Sequence, residues 1–246
     1  MLVIVDKTEN TYSFLQFNRD TMTEVALIDH NGEGEATANI QLCTAHWYGG
    51  NREQSCENTV KSVKKLLGGI QIDGYYELNM SEIPKLNNMV DGVTVTLEDD
   101  FSKKYPKMKK GATINLDDEQ AYAYVHDRYG VGNEENTSRM KRQQQYMTGF
   151  FKKLQEKVKA NPNYANEVFE SLQDVSTTDI TIGKISNISN IFASGTDKGI
   201  FELAGKSKIG QALGDEIDHM EFYVNKKAMV STMSELFGIV EQKNKE

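Results

Sequence analysis

The sequence predicts an α/β domain in which helices cover both faces of one sheet. Three observations carry that expectation. Short β-branched runs alternate with stretches of helical periodicity along the chain. Hydrophobic residues at 38% and charged residues at 26% describe a folded globular chain rather than a disordered one. The 246 residues suit one large domain, taken as 1–246, and 3 prolines among 19 glycines leave no low-complexity linker to divide it.

The elements follow in order. Met1-Leu2-Val3-Ile4-Val5 is a strand by composition, and Thr11 to Phe17 a second, across the turn-like Asp6 to Asn10. A domain that opens inside a strand is expected to lack an upstream portion. Asn31-Gly32-Glu33-Gly34-Glu35 and Trp47-Tyr48-Gly49-Gly50 are loops. Val60, Val63, Leu66 and Leu67 place a helix over about 57–67, stopped by Gly68-Gly69. A strand is expected over 70–78, a short helix over 81–90, and a strand over 93–97. Lysines between 103 and 110 mark a solvated loop. Acidic residues at 117–119 suit the first turn of a helix running through Val125, where the dipole favours them. Asn136, Thr137 or Ser138 is placed to cap a helix reaching about Val158. Helices over 163–172 and 181–193, a strand over 221–224 and a helix over 226–237 complete the pattern.

The charge balance is 28 basic against 36 acidic residues, a net −8 with a pI near 5.2. That excludes broad nucleic-acid binding and attachment to anionic lipid by charge alone. No apolar run approaches the length that spans a bilayer. Of the basic residues only Arg19, Arg52, Arg128, Arg139 and Arg142 are arginines, and three of these five fall within fifteen positions. Arginine's planar fork grips phosphate or carboxylate oxygens in pairs and keeps its charge when partly buried. Arg139 and Arg142 share a helical face near a helix N-terminus, with Gln143 beside them and the Gly130-Val131-Gly132 loop and Arg128 just upstream. Two readings stand: a clamp for phosphate or pyrophosphate, or surface ion pairs with Glu134, Glu135 or Asp127.

Residues 113–125, with Arg128, Arg139 and Arg142-Gln143-Gln144-Gln145, resemble the signature of the LytR-CpsA-Psr family. Phe17-Asn18-Arg19-Asp20-Thr21, Ile72 to Asn79 and Asp91 to Val95 fit it in order, so the resemblance covers nearly all of residues 1–150. It implies a central mixed sheet in an α/β/α domain on the extracytoplasmic face of a bacterial membrane, tethered by an N-terminal anchor outside this chain. It implies a phosphotransferase that moves a glycopolymer, such as teichoic acid or capsule, from a polyprenyl pyrophosphate carrier onto peptidoglycan. By that resemblance Arg19, Arg128, Arg139, Arg142 and Gln143 bind the pyrophosphate, and Asp20 and Arg128 are the catalytic residues. Asp20 would fix Arg19 or help activate the acceptor.

The sequence departs from the family at two positions. His126 stands where the family carries arginine, and Asn136 where it carries aspartate. Magnesium is the cofactor the resemblance implies, but the family's metal-binding aspartates belong to a strand upstream of Met1. The alternative reading is a non-catalytic polyprenyl-phosphate-binding or regulatory domain. A nucleotide or sugar-phosphate enzyme of similar build lacks support, since no P-loop or dinucleotide glycine pattern appears.

Cys43, His46 and Cys56 form a loosely spaced set of metal-ligand types. If the domain is extracytoplasmic, a Cys43–Cys56 disulfide is the expectation, with free thiols the other reading. Trp47 and Tyr48 either stack on a sugar ring or pack under their loop.

Overall fold

The computed structural model describes residues 1–34, 36–134 and 136–238. The strands are β1 (Leu2–Asp6), β2 (Thr11–Gln16), β3 (Met22–Ala26), β4 (Thr37–Gln41), β5 (Tyr76–Leu78), β6 (Thr94–Thr96), β7 (Thr113–Asn115), β8 (Ser176–Thr178), β9 (Thr196–Glu202), β10 (Gly205–Gly210) and β11 (His219–Val224). The helices are α1 (Arg52–Leu66), α2 (Ile83–Met89), α3 (Asp118–His126), α4 (Asn136–Ala160), α5 (Tyr164–Ser171), α6 (Ile182–Ser194) and α7 (Lys226–Phe237).

The central sheet is mixed, in the order β1-β2-β9. β1 runs antiparallel to β2, with Leu2 opposite Leu15, and β9 runs parallel to β2, with Thr11 opposite Thr196. Alternation along β2 sends side chains to two covered faces. On one face Phe14 stacks on Phe151 of α4 at 4.2 Å and Tyr12 packs against Phe192 of α6 at 4.9 Å. On the other, Leu15 joins Val63 of α1, Leu67 and Met233 of α7 in one apolar cluster. Helices therefore cover both sides of the sheet, and each large side chain so buried contributes about 1.5–3 kcal/mol.

The remaining strands pair off in two-stranded ladders, β3/β4, β5/β8, β6/β7 and β10/β11, rather than extending one sheet. The strand expected over 70–78 contracts to Tyr76–Leu78. Ile70 and Ile72 are apolar because they pack into the Leu15 cluster, not because they pair. α1 starts earlier than expected because the Asn51 side chain accepts the Gln54 N–H and so caps it.

A second core lies under α3 and α4 and joins Val93, Val95, Leu116, Tyr124, Tyr146 and Phe150. α4 lies close over β6 at Gly149, where a Cβ would stand 2.6 Å from Val93 Cγ1. α3 carries a reciprocal capping box: Gln120 N–H donates to Asp117, and the Gln120 amide accepts from the Asp117 N–H. This core seats α3 against α4, and the candidate site lies between the C-terminal end of α3 and the N-terminal end of α4.

Candidate active site

Three pieces of chain meet there: the turn after β2, the end of α3 with the loop that follows, and the first turns of α4. The turn is set by its own hydrogen bonds. Asp20 N–H donates to Asn18 Oδ1 at 2.9 Å, and Thr21 N–H and Oγ1 donate to the Asn18 carbonyl at 3.0 and 2.7 Å. Its outer carbonyls are held by Cys43 N–H on Arg19 at 2.9 Å, Phe222 N–H on Asp20 at 2.7 Å and Leu42 N–H on Thr21 at 2.7 Å. The Arg19 and Asp20 side chains thus project from a rigid backbone.

Asp20 Oδ1 lies 3.5 Å from Arg19 Nε, and its Oδ2 accepts from Asn136 Nδ2 at 3.3 Å. Asn136 Oδ1 in turn accepts from Arg139 at 2.7 Å. Asn136 therefore bridges an aspartate and an arginine through both ends of its amide. Burial raises the Asp20 carboxyl above the usual carboxylate range, against the opposing pull of Arg19, Arg139 and Arg128. Arg139 is pushed down from an ordinary arginine, first by burial and then by repulsion from Arg19, Arg128 and Arg142. It stays charged, since arginine does not lose its proton in proteins. Its Nε is buried and has no hydrogen-bond partner among the described residues.

Arg128 turns onto Tyr129, whose ring centre lies 4.5 Å from the guanidinium and whose hydroxyl accepts a hydrogen bond from it. Gln143 donates to the Val125 carbonyl at 3.0 Å, which holds the end of α3 against α4.

Arg142 corrects the sequence reading. It is 1% exposed and all three arms of its guanidinium are committed. Nε donates to the Tyr124 carbonyl at 2.9 Å, Nη1 meets Asp99 Oδ2 at 2.5 Å, and Nη2 donates to the Asp127 carbonyl. No fork remains to grip a phosphate, so Arg142 acts beneath the site, positioning the loop that carries Arg128. The expected surface pairs are also absent among the described residues: Arg139 bonds Asn136 and Arg142 bonds Asp99, not the carboxylates of Glu134 or Asp127. Glu135 lies outside the described residues.

The loop needs its glycines. Gly130 and Gly132 adopt φ of 73° and 58°, and a Cβ on Gly132 would stand 2.5 Å from Asp99 Oδ1. The His126 ring stacks on Tyr122 at 4.8 Å, and its Nδ1 lies 3.1 Å from Asp127 Oδ1. Trp47 is 63% exposed, which removes the packing reading for that residue, whereas Tyr48 packs against Val25 and Ile40 with their cluster.

Both cysteines are free. They face different neighbours, so the expected disulfide does not form: Cys43 Sγ lies 3.6 Å from Arg19, and Cys56 Sγ 3.9 Å from His46 Nε2. Sequence reasoning missed Cys43 as a wall of the site, Tyr129 as the platform for Arg128, and Asp99 as the anchor of Arg142. Asp99 carries no local signal, because its partner is 43 positions away.

Magnesium takes several oxygen ligands. Asp20 is the carboxylate that faces the cluster, and guanidiniums stand around it. Among the described residues, the His, Cys, Asp or Glu grouping of three close enough to hold a metal is His46, Cys56 and Glu77, which are not part of this cluster. The residues present do not fit a protein-held magnesium ion.

Fold and site together define an α/β domain with a cationic cluster on a rigid turn. The chain belongs to the LytR_cpsA_psr family, whose model matches residues 1–237. No curated protein matches the sequence. Solved structures share the fold. A transcriptional regulator from Enterococcus faecalis has a TM-score of 0.72 at 19% identity, covering 97% of this chain and 82% of that one. TagT from B. subtilis has a TM-score of 0.66 at 21% identity, covering 96% and 82%. A structure described as TagT bound to LI-WTA has a TM-score of 0.69 at 20% identity, covering 96% and 81%. No helix among the described residues is long and apolar enough to cross a membrane.

Proposed function

We propose that the domain is a cell-wall glycopolymer phosphotransferase working on a polyprenyl pyrophosphate-linked donor at the extracytoplasmic face of a bacterial membrane, with peptidoglycan as acceptor. The observation that carries this reading is the unpaired, buried Nε of Arg139, set among Arg19, Arg128 and Arg142 with Asp20 as the facing carboxylate. Such a cluster is costly when empty and is relieved by an anion bearing several oxygens. Family membership and the TagT likeness support a cell-wall glycopolymer as the substrate class.

The acceptor hydroxyl attacks the sugar-side phosphorus of the pyrophosphate. The new P–O bond forms as the bond to the bridging oxygen breaks, and polyprenyl phosphate departs. The acceptor's proton leaves for the Asp20 carboxylate or solvent. Arg19, Arg128 and Arg139 hold the phosphoryl oxygens and offset the charge on the departing phosphate, the positioning and electrostatic work that dominates phosphoryl transfer.

One observation favours a second reading, a lipid-phosphate receptor without turnover. Asn136 stands where the family carries aspartate, and an amide cannot serve as a base. The test is transfer of a labelled sugar phosphate from a short polyprenyl pyrophosphate donor to a peptidoglycan fragment. Release of polyprenyl phosphate coupled to acceptor labelling supports the enzyme. Saturable binding with no release supports the receptor, and Asn136→Asp should then restore some turnover.

A further inference from the structure

We propose that His46, Cys56 and Glu77 form a binding site for a divalent transition-metal ion, zinc foremost, separate from the arginine cup. The sequence grouped His46 and Cys56 with Cys43; the fold replaces Cys43 with Glu77. One ligand atom from each of the three residues lies within 4.8 Å of the others. Cys56 Sγ and His46 Nε2 are already 3.9 Å apart. Two such ligands on a tetrahedral zinc ion stand about 3.5 Å apart, so a small side-chain rotation closes the site.

The ligands come from three separate elements: His46 from the 3₁₀ turn Leu42–Trp47, Cys56 from α1 and Glu77 from β5. Thiolate, imidazole and carboxylate together suit zinc better than a hard cation. Glu53 and Asp179 add negative charge near Cys56, with Arg52 opposing. Arg52 holds Glu77 Oε2 at 2.6 Å, which orients the carboxylate and leaves its other oxygen for the ion. Binding forms a metal–thiolate bond and releases the thiol proton to solvent, without redox change. Three protein ligands leave a fourth position for water. The ion would tie β5 and α1 to the turn whose Cys43 N–H holds the Arg19 carbonyl, stiffening the wall behind the cup.

The test is titration of the metal-free chain with cobalt(II) as a spectroscopic stand-in. The expected result is a sulfur-to-cobalt charge-transfer band that saturates at one equivalent, persists in Cys43→Ser and disappears on addition of zinc. Cys56→Ser should abolish the band. His46→Gln, at an exposed position that leaves the core intact, should weaken binding by about 100-fold, the upper end of what even outer-shell losses cost. No charge-transfer band in the parent chain overturns the proposal, and so does an unchanged titration in His46→Gln. Circular dichroism of each variant confirms that it is folded before its titration is read.

Discussion

Arg139 and Arg142 lie three positions apart on α4 and have different roles. Arg142 is enclosed, and removing it would leave Asp99 uncompensated and two carbonyls unpaired. Arg142→Ala is therefore expected to lose about 3–5 kcal/mol of stability, measured by chemical denaturation. Arg142→Lys should not restore it, since an ammonium cannot reproduce the three-armed geometry. Arg139 keeps a free donor, so Arg139→Ala should fold normally and bind pyrophosphate about 10- to 150-fold more weakly, the loss of about 1.5–3 kcal/mol of charged hydrogen bonding. Calorimetric titration with inorganic pyrophosphate separates the two. Asp20 gives a pH prediction. Its carboxyl is raised in the folded chain. Its stabilising contribution is thus full below the ordinary carboxylate pKa and is lost as pH rises through the raised value. Asp20→Asn should melt higher than the parent near neutral pH, and the difference should shrink as pH falls toward about pH 4. The arginine-to-lysine ratio pointed to the arginine cluster in the sequence, but spacing alone could not separate the half-buried Arg139 from the enclosed Arg142. That distinction depends on Asp99 and on the carbonyls of Tyr124 and Asp127, which only the fold brings together.

Among the elements, the helices and the strands β1, β2, β6 and β11 were readable, and several other strands were not. α3, α4, α6 and α7 fall within a few residues of their expected bounds, because each repeats its apolar residues at helical spacing or opens on a clear cap. β3, β4, β9 and β10 went unread. β10 is exposed at five of its six residues and carries little apolar pattern, and β7 and β8 are only three residues each. Their pairing is set by distant chain, as with Tyr76 opposite Thr178. The capping box of α3 matters beyond its own helix, since that helix ends at the arginine loop. Asp117→Ala should cost about 1 kcal/mol of stability by thermal melting and lower pyrophosphate affinity to a lesser degree than Arg139→Ala.

At the scale of the whole molecule, an acidic chain of net charge −8 concentrates arginines at one point. General electrostatics would repel a polyanion, so the proposed binding is expected to rest on the local geometry of the cup and to outlast moderate salt better than surface pairing does. The mixed sheet supplies the frame: β2 leads directly into the Arg19-Asp20 turn, and α4, packed on the Phe14 face of that strand, brings Asn136 and Arg139 to meet it. A ligand bound only by the folded state stabilises it by about 2.7 kcal/mol at a hundred times its dissociation constant. Pyrophosphate should accordingly raise the melting temperature of the parent chain more than sulfate at equal ionic strength, and should not do so for Arg139→Ala.

The most direct measurement is equilibrium binding of a short-chain polyprenyl pyrophosphate-linked sugar to the parent chain and to Arg139→Ala, with polyprenyl phosphate release followed in parallel samples that also contain a peptidoglycan fragment as acceptor. The account predicts saturable binding by the parent, a loss of about 10- to 150-fold in the variant, and release that tracks occupancy. Absence of binding, or equal binding by both chains, would contradict the assignment of the arginine cup as the pyrophosphate site.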